Sequence, residues 1–209
     1  MISEGDVLKA RNLWFSVWLH PRRQMQDVLQ YGLHKKAALL ISLLFGLLTT
    51  LSYSHIQAFI LLGELSAASI LVILVIGSLM GPLLYYVFGL LLGKVGSWYG
   101  GNGNVEATRK ALVYGFFMPG ILLGLVSILL FGIAYVQAYF LHSNVVYIIY
   151  QIGVFVHNVA SIWLIGIFLV AFAEAQKIKL WRSMLILIAF LGCMAILFIV
   201  IDQITRLFI

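Results

Sequence analysis

Five long apolar stretches divide this chain, and its basic residues fall almost entirely on one side of them. The stretches run over about residues 37–59, 67–92, 111–135, 145–172 and 184–207. Each is long enough for the roughly 20 helical residues that cross ~30 Å of hydrocarbon. The segment before the first carries Lys9, Arg11, Arg22, Arg23, Lys35 and Lys36. The loop between the second and third carries Lys94, Arg109 and Lys110, and that between the fourth and fifth carries Lys177, Lys179 and Arg182. The other two loops carry none, and the C-terminal end has only Arg206. Twelve of thirteen Lys and Arg residues therefore share one side. Basic residues near span ends stay cytoplasmic. The pattern predicts an all-α integral membrane protein, a five-transmembrane-helix bundle with its N-terminus cytoplasmic and its C-terminus outside. Residues 1–36 form a cytoplasmic arm and residues 37–209 the membrane domain.

Composition agrees. The chain is 63% apolar and 10% charged, against about 25% charged in an ordinary soluble domain. Its 209 residues leave no room for a separate globular domain beside five spans. The net charge of +6 does not imply nucleic acid, because the basic residues sit at span ends rather than along a soluble helix. Attraction to anionic headgroups is the reading that remains. Cys193 is the one cysteine, so neither a disulfide nor a cysteine metal site forms within one chain. The first 36 residues lack the apolar core and small-residue site of a cleavable signal, so the first span is expected to direct insertion.

The arm has a pattern of its own. Trp14, Phe15, Val17 and Trp18 cluster; Pro21 follows; Met25, Val28, Leu29 and Leu33 then recur at helical spacing among Arg22, Arg23, Gln24, Gln26, Asp27 and Gln30. Proline suits a first helical turn, where its missing N–H is not needed. The expectation is a short amphipathic interfacial helix in the inner headgroup layer, with Trp14 and Trp18 at the headgroup boundary. The alternative is a helix packed beneath the bundle.

Within the spans, Pro82 should kink the second and Pro119 with Gly120 should bend the third. The turn into span two is expected at residues 62–66 around Glu64. Asn104 is a candidate N-cap, and a short neutral loop is expected around residues 137–144. Three glycine pairs four residues apart, Gly77/Gly81, Gly89/Gly93 and Gly120/Gly124, mark close helix approach in lipid. They serve either self-association or packing within the bundle.

Chemistry-bearing patterns are few. The run Gly100-Gly101-Asn102-Gly103-Asn104 precedes a helix but lacks the Lys-Ser/Thr of a phosphate loop and a preceding strand. A flexible cytoplasmic loop is the expectation. His55, Glu64 and His142 lie near the outer face without metal-ligand spacing. Gln151, His157 and Asn158 sit inside span four, where polar groups face the bundle or a wet cavity. They form either a polar path or interhelical hydrogen bonds. The acidic residues avoid the midplane: Glu174 lies beside Lys177, and Asp202 can pair with Arg206 at i+4. No Ser/His/Asp set or acidic cluster supports an enzyme, and no cofactor is implied.

The run from Trp14 to Arg23, with Pro21-Arg22 at its end and Met25, Val28 and Leu29 after it, resembles the opening of bacterial members of the Yip family (Ypt/Rab-interacting membrane proteins). Gly100, Gly101 and Gly103, followed by Arg109 and the Pro119 span, resemble that family's glycine-rich loop and third span. The resemblance covers nearly the whole chain. It implies five spans, a cytoplasmic N-terminus, no catalysis, and association with other membrane proteins or with like copies. This chain lacks the long acidic, Pro-rich arm and the Asp-Leu-Tyr-Gly-Pro entry motif of eukaryotic relatives, and its short arm implies a prokaryotic plasma (inner) membrane. The leading reading is a non-enzymatic scaffold that organises membrane components or the bilayer through its cytoplasmic face. The second is a small transporter, channel or lipid-moving protein with a polar path near span four.

Overall fold

The computed structural model describes residues 13–31, 35–53, 66–141 and 143–208. Eight α-helices make up nearly all of these, with no strand among them. They are α1 (Leu13–Leu19), α2 (Pro21–Tyr31), α3 (Lys35–Leu51), α4 (Ala67–Trp98), α5 (Val105–Leu112), α6 (Met118–Val136), α7 (Asn144–Gln176) and α8 (Leu180–Phe208). Two π turns, Val113–Phe117 and Gln137–Leu141, lengthen α6 at both ends. Among the described residues, three helical stretches are long and apolar enough to cross a membrane: Ala67–Trp98, Val105–Phe140 and Asn144–Gln176.

Helix α3 and the first half of α4 pack backbone to backbone. A methyl group on Gly81 would overlap the Ser42 carbonyl, and one on Gly46 would lie 2.6 Å from the Gly81 nitrogen. Such contact needs small residues, because helices in lipid associate through packing rather than through the hydrophobic effect. Helix α4 runs through Pro82. Proline cannot donate to the carbonyl of Ser78 four residues back, and that oxygen lies 3.0 Å from where a Gly46 Cβ would be. The other glycine pairs also meet helices of the same chain. Gly89 lies under the Arg109 side chain, Gly93 under Val105, Gly120 under the Phe45 ring and Gly124 against Leu48. Ser52 Oγ donates to Gly124 O at 3.1 Å.

Where a bend was expected at Pro119, the helix holds a π turn. Met118 N–H donates to Val113 O, five residues back, just before the proline removes a donor from the ladder. At the far end, Gln137–Leu141 continues the helix where a loop was expected, and Gln137 Oε1 accepts from Ser143 N–H at 3.2 Å. The side-chain amide thus closes a turn that composition alone presents as loop. Ser66 caps α4 through Ser69 N–H. The rest of the turn around Glu64 lies outside the described residues, as do His55 and His142.

The arm corrects one expectation. Helix α2 is amphipathic, but its apolar face is buried against protein rather than dipped into lipid. Met25 is 1% exposed and Val28 4%, and both belong to the core formed with the ends of α5 and α7. The physical reason is that those helix ends offer a matching apolar shelf, and the flanking polar groups find partners on it. Buried Gln24 pairs with Ser16 Oγ. Helix α1 lies along the bundle wall: Trp163 Nε1 donates to Trp18 O at 2.9 Å. Trp163 is eleven residues before Glu174 on α7, about 16 Å of helix. Phe15 and Leu19 face outward.

Buried residues concentrate at one end of the bundle, around Ala111, Val113, Phe117, Phe168, Phe172 and Ile186. Toward the other end, apolar side chains such as Leu129, Ile148, Ile152 and Phe155 are exposed. Exposure of this kind costs little in hydrocarbon, which is as apolar as leucine.

Candidate functional site

The glycine-rich loop closes around one buried amide. Gln176, the last residue of α7, is fully buried. Its Oε1 accepts from Gly103 N–H at 3.0 Å, and its Nε2 donates to Thr108 Oγ1 at 2.6 Å. A helix end leaves its last carbonyls without partners. Here Asn102 supplies them: its N–H donates to Gln176 O at 3.1 Å and its Nδ2 to Ala175 O at 3.1 Å. Asn104 then caps α5, its Oδ1 accepting from Ala107 N–H at 2.9 Å.

The loop glycines are required by space and by backbone. A Cβ on Gly101 would lie 2.7 Å from Gln176 Oε1, and Gly100 and Gly103 hold φ of +84° and +65°. Only glycine adopts such angles without a steric penalty. The loop's donors at Gly101, Asn102 and Gly103 bond within the protein. They therefore do not form an open cradle for an anion.

The arm reaches the same end of the bundle. Arg22 Nε donates to Glu174 Oε2 at 3.1 Å, and Gln26 Nε2 donates to Oε1 at 2.7 Å. Sequence proximity pairs Glu174 with Lys177, but Lys177 takes a left-handed φ of 55° as the C-cap of α7. Next to it Arg182 lies over the Trp181 ring and donates to Tyr99 O at 3.4 Å. The described basic residues from Arg22 to Arg182 thus gather around one end of the bundle. Arg206, near the far end of α8, pairs with Asp202 at 3.0 Å.

Between the start of α3, the middle of α4 and α5 lies a cavity of about 170 Å³. Lys35, Arg109 and Lys110 line it with Glu106, Tyr85 and Tyr86; Ala38 and Val113 complete it. Lys110 pairs with Glu106 at 3.4 Å, one turn apart. Among the described residues Lys35 and Arg109 have no ion pair. Arg109 is flanked by two rings: its guanidinium carbon lies 4.9 Å from the Tyr86 ring centre and 5.7 Å from that of Tyr85. It makes one long bond, Nη2 to Tyr86 O at 3.5 Å, and its buried Nε has no acceptor among the described residues.

The polar residues of span four are placed apart. Gln151 and Asn158 are exposed on one side of α7, while His157 is half-buried and its Nδ1 has no partner among the described residues. Ser161 Oγ donates to the His157 backbone carbonyl at 2.8 Å. Among the described residues no group of three or more His, Cys, Asp or Glu could hold a metal ion. Sequence reasoning missed Gln176, the Arg22–Glu174 link and the basic cavity. The available signals were an amide ending an apolar helix, and Lys35 at the start of α3 with Arg109-Lys110 in the last turn of α5. A family model described as the Yip1 domain matches residues 15–201. No curated protein and no solved structure matches the chain.

Proposed function

Because the chain belongs to the Yip1 domain family, we propose that it is a non-enzymatic, five-span membrane protein that organises membrane components or the bilayer through its cytoplasmic face. In this reading α3 and α8 cross the bilayer along with the three longest helical stretches, and the basic end faces the cytoplasm of a prokaryotic inner membrane. The carrying observation is convergence. The arm, the glycine-rich loop and the basic cavity all meet at the end of the bundle where packing is densest. A rigid, positively charged platform suits contact with anionic headgroups and with neighbouring membrane proteins.

The test is reconstitution in liposomes containing anionic lipid. Energy transfer between labelled copies, together with vesicle shape, should depend on Trp18 and Arg22, while solute and lipid movement stay at the level of empty vesicles. Trp18→Ala with Arg22→Ala should lower the energy-transfer signal, and His157→Ala should leave it unchanged. Solute or lipid movement that His157→Ala abolishes, with Trp18 and Arg22 changes neutral, would replace this reading with transport.

A further inference from the structure

We propose that the cavity between α3, α4 and α5 is a binding site for a phosphate group, carried either by an anionic phospholipid of the adjacent leaflet or by a soluble phosphate ester. The proposal deepens the reading above and rests on it for one point, that the basic end lies at the inner leaflet.

Three cations line the cavity against one carboxylate, and that carboxylate is taken by Lys110. The excess charge is therefore positive. Its two unpaired members among the described residues, Lys35 and Arg109, come from different helices and border one space. Arginine presents five N–H donors in a planar fork that matches phosphate oxygens. Arg109 spends one of them, weakly, on Tyr86 O. The Tyr85 and Tyr86 rings stand within cation–π distance of the guanidinium before any ligand arrives, so less rotamer freedom is left to lose on binding. Gly89 permits this placement, since a side chain there would collide with the Arg109 stem. The cavity volume of about 170 Å³ exceeds the roughly 10–15 Å³ that one water requires, which leaves room for a tetrahedral anion.

Depth favours a headgroup. Arg109 packs on Gly89, five residues deeper along α4 than Lys94, or about 7.5 Å toward the membrane interior. The cavity thus lies on the membrane side of the glycine-rich loop, within reach of a lipid headgroup if that loop is at the bilayer surface.

The experiment uses purified full-length protein in a neutral maltoside detergent. Binding is measured for dioctanoyl phosphatidic acid, phosphatidylglycerol and phosphatidylcholine, with glycerol 3-phosphate and inorganic phosphate as competitors. Phosphatidic acid should bind at least about tenfold more tightly than phosphatidylcholine. Arg109→Gln should weaken it about tenfold or more, the scale of one lost charge-assisted hydrogen bond, and Lys35→Gln severalfold. Competition by glycerol 3-phosphate at similar concentration identifies a soluble ester as the source; binding of the lipids alone identifies the headgroup. Equal binding of phosphatidylcholine, or unchanged binding in folded Arg109→Gln, overturns the proposal. If Arg109→Gln does not fold, Lys35→Gln/Lys110→Gln carries the test, and unchanged binding there overturns it equally. Solute movement in liposomes by a protein that still binds phosphate through Arg109 would sink the scaffold reading and leave this site standing.

Discussion

Arg22 and Glu174, 152 positions apart in the chain, are joined by a contact of 3.1 Å. Gln26 takes the second carboxylate oxygen at 2.7 Å, so one acidic group at the end of α7 receives two donors from successive turns of α2. The contact sets where the arm docks more than how strongly. The Arg22 side chain is 69% exposed, and exposed ion pairs contribute only about 0–1 kcal/mol.

Docking strength should therefore follow the apolar face. Met25→Ala is expected to cost about 2–5 kcal/mol, as for buried large-to-small changes, and Arg22→Ala under about 1 kcal/mol. Thermal unfolding in detergent measures both. A spin label at exposed position 23, in a Cys193→Ser background, should gain mobility sharply in Met25→Ala and little in Arg22→Ala. The reverse order would show that the ion pair holds the arm.

Gln176 should be among the most sensitive polar positions. Gln176→Ala strands the Gly103 N–H, while the Thr108 hydroxyl keeps its bond to Asn104 O, at about 1–3 kcal/mol for the unsatisfied group. Gly103→Ala should cost about 1–2 kcal/mol from its left-handed backbone alone, and Gly103→Asn less. Melting temperatures in detergent check the ranking. A neutral Gln176→Ala would mean the loop closes without its amide.

What the sequence reveals about this fold is what one helix carries by itself. Apolar length marks the long helices, Asn104 marks the start of α5, and the clustering of basic residues separates one end from the other. The π turn before Pro119 needs more, because a bend and a widened turn share the same proline signal. Glu174 shows the limit of local reasoning: Lys177 is near in sequence, yet Arg22 is near in space. Met25 and Val28 have the pattern of a lipid-facing stripe, since lipid and a protein shelf demand the same apolar face. The basic cavity was hidden for a related reason. Lys35, Arg109 and Lys110 are each explained by topology alone, and only the packing of α3 and α5 beside α4 brings them together.

The glycines of α4 should differ according to what opposes them. Gly81→Ala meets the Ser42 backbone, which cannot move aside without separating α3 from α4. It is expected to cost at least about 1–3 kcal/mol, the usual range for overpacking. Gly89→Ala meets the flexible stem of Arg109, so its cost in stability should be smaller while phosphate binding weakens. Gly132, with open space around it, should accept alanine with stability unchanged or raised by up to about 1 kcal/mol. Equal losses at Gly81 and Gly132 would contradict the packing.

The last prediction concerns the crossings of α3 and α8. Asn102 is hydrogen-bonded to Gln176 and Arg22 to Glu174, so the arm, the glycine-rich loop and the α7–α8 junction must share one side of the membrane. Helix α4 carries the chain over 32 residues from Ser66 to that side, about 48 Å of helix. In the proposed topology Ser66 then belongs on the opposite side, and α3, which starts beside Arg109, is expected to cross. Single cysteines in a Cys193→Ser background should therefore react in two groups. Positions 23, 102 and 179 should label from the cytoplasm, and positions 66 and 143 from outside. Position 203 decides α8: external labelling gives five spans and an outside C-terminal end. Cytoplasmic labelling at 203 would mean that α8 turns back, and would sink the five-span reading while leaving the shared basic end intact.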